Sequence, residues 1–373
     1  MNCNQNIKVL FLLHLPPPVH GAAMVGLSIK ESVLINESFN CRYINLGLSA
    51  SIDGIGKNGF GKGFRYFSLL GQVVKKLIKF KPQICYITIQ VHRIGFYKDL
   101  PVAMLAKLFG VKVVYHFHNK GVSTRQNKFL DNLLYHLVFK NTDIILLSKF
   151  LYPDIQKYVP LNRIHYCPNG IPEKQIKKVK LKGEKERVEI LFLSNLIESK
   201  GVFVLLKACQ ILRCKKINFH CTFAGGVGDI NEPLFNGKVR ELKLTQNVKY
   251  VGKKYGTEKE LEFAKADIFA FPSYYHNETF GLVNLEAMQY NLPIVSTFEG
   301  GIPDVVEDGV TGFLVPQQDA SALANKLEIL INDSELRKQM GFAGRAKYEK
   351  EFTLQIFEKK LQTILKQIIL GNN

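Results

Sequence analysis

Residues 272–316 read PSYYHNETFGLVNLEAMQYNLPIVSTFEGGIPDVVEDGVTGFLVP. A short apolar run, 267–271, comes just before them. Within the stretch, residues 282–290 have helical spacing and residues 293–296 form a second short apolar run. Strand, helix and strand separated by Pro272, Gly281 and Pro293 make the unit from which a parallel sheet is built. Glu278 precedes the expected helix start near Phe280-Gly281, and Glu286 lies inside the helix. The N–H groups and dipole at such a helix start suit an anion such as a diphosphate. Glu286 sits where it can accept hydrogen bonds from a ribose diol, whereas Glu278, in the loop, is better placed for a reacting group. A flexible turn, Glu299-Gly300-Gly301, follows the next strand at the same edge. Taken alone, two glutamates eight residues apart fit two surface side chains equally well.

The alternation extends outward in both directions. Strands are expected at 7–13, 41–46, 84–89, 111–117, 143–147 and 163–167, with helices near 22–34, 64–79, 100–109, 127–140 and 150–158. Pro168-Asn169-Gly170 and a Lys/Glu-rich run up to Arg187 interrupt the pattern, which marks a linker. Strands resume at 188–194, 217–224 and 248–251, with helices at 202–212 and 258–266, and helices close the chain from Ala320 to about Ile369. The expected domains are therefore 1–172, a linker over 173–187, a second domain over 188–351, and a C-terminal helix over 352–373 that returns to the first domain. Two doubly wound α/β domains facing a cleft would bind ligands beyond the carboxyl ends of their strands.

Composition sets limits on partners and location. The 373 residues are 46% apolar and 22% charged, ordinary for a globular protein. The opening run Ile7–Leu13 stops at Pro16-Pro17-Pro18, short of a membrane span and without a signal-peptide cleavage site. A cytoplasmic protein is expected, able to sit peripherally on the inner face of the plasma membrane. The seven cysteines contain no Cys-x-x-Cys pair, so neither a disulfide framework nor a zinc knuckle is expected. Net charge is +18, and residues 1–172 hold 21 basic against 7 acidic residues. The first half therefore suits an anionic partner such as a membrane surface, a phosphorylated substrate or nucleic acid.

Three other features have competing readings. Gly54, Gly56 and Gly59 match a dinucleotide-binding spacing but lack a good preceding strand. Gly56, Gly61 and Lys62 resemble a phosphate loop, but Gly63 stands where Ser or Thr is needed; a surface loop fits better. His116 and His118 share a face at a strand end, either as core histidines or, for His118, as a group reaching the ligand. No third metal ligand stands out, so no metal is expected. Phe64, Phe67, Leu70, Val74, Leu77 and Ile78 form a helical stripe with basic residues mostly opposite, which fits a core helix with a solvated basic face or a helix resting on anionic lipid.

The segment 272–316 resembles the nucleotide-sugar signature of glycosyltransferase family 4, the retaining group 1 glycosyl transferases of the GT-B fold. The family's E-x7-E pair falls on Glu278 and Glu286, and its Gly-Gly on Gly300-Gly301. Gly21 falls on the N-terminal glycine loop, His118 on the strand-end histidine, Pro168-Asn169-Gly170-Ile171 on the hinge-side motif, and Ser194-Asn195-Leu196…Lys200-Gly201 on the second-domain phosphate loop. Asn195 stands where the family usually carries Arg, Asp304 replaces a Glu, and Asn291 replaces a Gly.

The resemblance implies Glu278, His118 and Lys200 as catalytic residues. It implies Gly21, Asn195, Lys200, Thr279, Phe280, Gly281, Leu282 and Glu286 as the donor-binding set, with no cofactor and a nucleotide sugar as substrate. No Asp-x-Asp occurs, so Lys200 and helix N-termini would do a metal's work on the leaving diphosphate. A lipid-linked or polysaccharide acceptor in bacterial surface-glycan assembly follows from the family context and the basic first half. A non-catalytic nucleotide-sugar binder and a nucleotide-sugar epimerase are the alternatives. Nucleic acid is not expected, because no nucleic-acid-binding module signature is present.

Overall fold

The computed structural model describes residues 7–17, 20–47, 60–174 and 187–371. Two compact units emerge from its contacts: Met1–Gly170 with Leu354–Asn373, and Ile171–Thr353. The glycine-rich stretch 54–59 and most of the Lys/Glu-rich run lie outside the described residues.

The first unit runs β1 (Lys8–Leu13), α1 (Gly21–Glu31), α2 (Val33–Ser38), β2 (Asn40–Asn45), α3 (Phe60–Phe80), β3 (Ile84–Ile87), α4 (Arg93–Leu108), β4 (Lys112–Phe117), α5 (Phe129–Phe139), β5 (Asp143–Leu146) and β6 (Ile164–Tyr166). Its sheet is parallel, in the order β2-β1-β3-β4-β5-β6. Strands buried on both faces explain the nearly unbroken apolar runs. The residues expected as one helix over 22–34 break at Ser32, whose hydroxyl accepts from Ile35 N–H and starts α2. The helix expected over 150–158 is instead a 3-10 segment, Lys149–Asp154, with Pro153 inside it, since proline removes an N–H and crowds the preceding turn.

The second unit runs β7 (Val188–Leu193), α6 (Val202–Cys214), β8 (Phe219–Ala224), α7 (Glu232–Glu241), β9 (Val248–Tyr250), α8 (Gly256–Lys265), β10 (Ile268–Phe271), α9 (Leu282–Gln289), β11 (Ile294–Thr297), α10 (Ile302–Val305), β12 (Gly312–Val315), α11 (Ala320–Asn332) and α12 (Ser334–Glu351). Its parallel sheet has the order β12-β11-β10-β7-β8-β9. Each sheet reverses its winding once, between β1 and β3 in the first unit and between β7 and β10 in the second. In such sheets the loops on the two sides of that reversal part and leave a crevice at the carboxyl edge.

The closing helix α13 (Leu354–Leu370) belongs to the first unit. Phe357, Leu361, Ile364, Leu365 and Ile368 join the core formed by β1, β3, α1 and α2. Lys112 Nζ donates to the Ile368 carbonyl and Gln362 Nε2 to Ser38 Oγ. No described helix is long and apolar enough to cross a membrane.

Leu361 is fully buried, so Leu361→Ala should cost about 2–5 kcal/mol through lost burial and a residual cavity. Hydrogen exchange is expected to lose protection in β1, β3 and β4 while residues 188–350 keep theirs.

Candidate functional site

In the second unit the reversal brings together the loops that follow β7 and β10. Lys200, after β7, and Glu278, after β10, are 78 residues apart in sequence, yet Lys200 Nζ lies 2.5 Å from Glu278 Oε2. Both side chains are mostly buried. The ammonium also lies 4.4 Å from the ring centre of Tyr275 and 5.6 Å from that of Phe271, a favourable cation–π setting. The other Glu278 oxygen accepts from Gly281 N–H at 3.0 Å, so the carboxylate takes up one of the donors at the start of α9. The remaining first-turn donors of a helix have no intrahelical acceptor, and the positive end of α9 therefore lies directly beside the Lys200 cation.

Glycine makes this convergence possible. A Cβ on Gly201, at φ +89°, would stand 2.2 Å from the Pro272 carbonyl oxygen, and one on Gly300, at φ +54°, would stand 2.1 Å from that of Glu278. Two backbone bonds tie the same loops: Tyr274 N–H to Ser199 O at 2.8 Å and Gly301 N–H to Thr279 O at 3.0 Å. The turn after β11 is fixed further by Glu299, buried and accepting from Gln317 Nε2 at 2.6 Å.

The other residues singled out in the sequence of the second unit have partners of their own. Thr279 and Gly281 are buried in the loop, and Leu282 opens α9. Phe280 is core, its ring edge-on to Phe352 at 5.8 Å, so only its backbone faces the loop chemistry. Glu286, half-buried inside α9, meets Lys259 Nζ of α8 at 2.6 Å. Asn195 Oδ1 accepts from Gly226 N–H at 3.2 Å, and the aliphatic stem of Lys253 passes beside Gly226. Asn284 is fully buried beneath Gly281, and neither of its side-chain polar atoms has a hydrogen-bond partner.

His118 and Gly21 lie in the first unit, at the carboxyl edge of its own sheet. Gly21 is the first residue of α1, capped by His20 Nδ1, which accepts from Ala23 N–H at 3.3 Å. His116 and His118 have ring centres 4.2 Å apart, and His116 Nδ1 pairs with the Tyr86 hydroxyl. Buried His14, just past β1, lies 3.5 Å from Asp99, which also faces Lys98. Burial, then the nearby His14 and His20, pushes the His118 imidazole down to about 3. Burial, then His118, holds His116 well below its usual range. These rings are neutral at ordinary pH. Among the described residues no group of three His, Cys, Asp or Glu is arranged to hold a metal ion.

Sequence reading missed Lys259, Lys253, His14, Asp99 and Asn284. Lys259 lies in the run Glu258-Lys259-Glu260, which reads as a solvated helix face. His14 and Asp99 are 85 residues apart and meet only through the fold.

Residues 173–347 match the family described as glycosyl transferases group 1. The chain is 31% identical over 269 residues to an amylovoran biosynthesis glycosyltransferase, AmsK, of Erwinia amylovora, covering 70% of this chain and 65% of that one. It is 31% identical over 176 residues to a capsular polysaccharide biosynthesis glycosyltransferase, CapM, of Staphylococcus aureus, covering 46% and 44%. The chain thus spans less than two thirds of the length of these curated relatives. A solved structure of Anabaena Alr3699/HepE in complex with UDP and glucose superposes with a TM-score of 0.72 at 18% identity, over 97% of this chain and 100% of that one. The fold is α/β and GT-B, with a six-stranded parallel sheet in each unit.

Two outcomes test this geometry. Gly300→Ala is expected to destabilise the second unit by about 1–3 kcal/mol, measured by urea denaturation, because its φ and the Glu278 carbonyl both oppose a side chain. The buried histidines set a pH dependence: unfolded imidazoles bind protons below about pH 6.5, whereas His118 does so only near 3. Stability should therefore be flat above pH 7 and fall as pH drops through that interval. His118→Gln should flatten this slope in denaturation curves collected from pH 7 to pH 4.5.

Proposed function

We propose that this chain is a retaining glycosyltransferase that moves a sugar from a nucleotide diphosphate sugar, UDP-linked first and GDP-linked next, to an acceptor hydroxyl in bacterial surface-polysaccharide assembly. The observation that carries this reading is the meeting of Lys200 with Glu278 at the start of α9. A cation and a helix N-terminus converge at the reversal of a doubly wound sheet, which suits a diphosphate leaving group. The group 1 domain over 173–347 and the polysaccharide-biosynthesis names of the relatives support it.

In the proposed reaction the bond from the anomeric carbon to the diphosphate oxygen breaks through an oxocarbenium-like transition state. An acceptor hydroxyl forms the new bond on the same face, and the leaving phosphate takes its proton. Negative charge grows on that phosphate, and Lys200 with the α9 N–H groups stabilises it, a preorganised electrostatic role. Glu286 accepts from the ribose hydroxyls while Lys259 fixes its carboxylate. Glu278 holds both Lys200 and Gly281 in position and orients the sugar, and His118 is assigned a catalytic role as a neutral hydrogen-bonding ring. Lys253 is the basic residue beside Asn195, and we assign it the second cation that the Asn195 position lacks. The first unit takes a lipid-linked or glycan acceptor, and Gly21 is assigned to the donor-binding set. No cofactor is required.

The test is release of nucleoside diphosphate from a panel of nucleotide sugars, with and without bacterial membrane lipid extract. One donor should turn over, faster with extract. Lys200→Ala and Glu286→Ala should each lower the rate about 100-fold or more, the scale of a lost charge-stabilising group, with circular dichroism unchanged. Equal release in wild type and both variants, or release from no donor, would refute the reading. Full turnover without any acceptor, yielding an isomeric nucleotide sugar, would favour the epimerase.

A further inference from the structure

Buried polar atoms without partners are concentrated at one place in the second unit. Among the described residues of that unit, four buried side-chain atoms have no hydrogen-bond partner: Arg213 Nε, Asn277 Oδ1 and both amide atoms of Asn284. Three of the four flank the turn Glu278–Gly281 that leads into α9. Asn277 immediately precedes Glu278, and Asn284 lies three residues after Gly281. Most buried polar groups in proteins are paired, so this clustering marks the α9 start as incompletely bonded.

Asn284 is the more enclosed of the two asparagines. It is fully buried, and its Nδ2 lies 2.8 Å from where a Cβ on Gly281 would stand. The other atoms nearest that point belong to the Phe271 ring and the Ile302 side chain. Such an apolar corner offers a resident water few partners. An amide enclosed without a partner costs stability through its lost hydration, and an apolar side chain in the same place carries no such cost. Packing alone therefore favours an apolar residue at this position. Nor does the helix use the amide as a cap. Gly281, at the N-cap of α9, supplies no side chain, and Glu278 Oε1 takes the Gly281 N–H from the loop. The Gly281 carbonyl already accepts from the Asn284 backbone N–H at 2.8 Å.

Both oxygens of Glu278 are engaged, one by Lys200 and the other by the Gly281 N–H. A diphosphate at the α9 start competes for the same two donors, and a sugar hydroxyl competes for the carboxylate itself. We infer that Asn284 is a positioning residue for nucleotide binding: its amide is unpaired before the nucleotide arrives and bonds the peptide groups of the Glu278–Gly281 turn once the carboxylate has turned to the sugar. The cost of the unpaired amide is then removed on binding and contributes to affinity, because a ligand gains whatever free energy separates the two states it chooses between. Asn284 acts through Gly281 and touches no ligand. This role rests on the donor site proposed above and adds the residue that supports its helix start from beneath.

The experiment combines urea denaturation of the full chain without nucleotide and calorimetric titration of UDP and GDP. Asn284→Val should keep a urea midpoint at or above that of wild type, yet bind the nucleotide that wild type binds about tenfold more weakly. In hydrogen exchange, that nucleotide should protect the amides of residues 279–283 in wild type and protect them less in the variant. A merely structural amide gives a different pattern, with stability and affinity falling together. That pattern, or equal affinities in wild type and variant, would overturn the role of Asn284. Should Asn284→Val not fold, Asn284→Ala decides: a loss of about tenfold in affinity upholds the role, and unchanged affinity overturns it. Binding of neither nucleotide by wild type sinks the donor site and this role together, whereas wild-type binding that is unchanged in the variants sinks only the role of Asn284.

Discussion

The contact between Lys200 and Glu278 organises the second unit. The two charges meet at 2.5 Å with side chains only 16% and 12% exposed. Burying two ions is costly unless geometry and further hydrogen bonds compensate. Here each remaining group is matched: Glu278 takes the Gly281 N–H with its second oxygen, and Lys200 lies against two aromatic rings. Losing either partner would leave a charge stranded in a crowded loop junction. Gly201 and Gly300 permit the approach, because at both positions a side chain would overlap a carbonyl oxygen of the facing loop. The ion pair and the glycines together hold the start of α9 against the loop that follows β7.

The reason these loops meet lies in the sheet order. With β7 beside β10, the connections leaving them run to opposite sides, and the loops behind the two strands are left facing each other. The first unit repeats this device between β1 and β3, where His14 and Gly21 lie behind one strand and Thr88 behind the other. His14 N–H donates to Thr88 Oγ1 at 3.1 Å. The two units share a topology but differ in chemistry: neutral, crowded imidazoles in one, and a cation with a helix start in the other. The charge follows the same division, since most of the +18 resides in the first 172 residues.

Much of the fold was legible because parallel strands buried on both faces leave unbroken apolar runs, and the helices between them leave a 3.6-residue period. Legibility failed where a side chain overruled the period. Ser32 caps a new helix inside an apolar stretch, and Pro153 keeps its segment from becoming α-helical. Helix α7 went unread although Asn231 caps it and Pro233 sits in its first turn, because its surface-facing sequence is mostly polar. At the candidate site, Glu278, Glu286 and the Gly300 turn stood out by their place near strand and helix ends, and Lys200 only through the family resemblance. Their partners did not. Lys259 looks like any solvated helix charge until α8 lies beside α9, and the His14–Asp99 contact spans 85 residues. Spacing along a chain reports which groups share an element, but only the sheet order determines which elements share an edge.

The most direct test of the central claim is calorimetric titration of UDP and GDP into the wild-type chain and into Lys200→Met, a substitution that keeps much of the side-chain volume and removes the charge. One nucleotide should bind the wild type, and the variant should bind it at least about tenfold more weakly, the equivalent of 1.4 kcal/mol. Equal affinities in the two proteins, with the variant folded, would contradict the assignment of the Lys200–Glu278 junction as the diphosphate site.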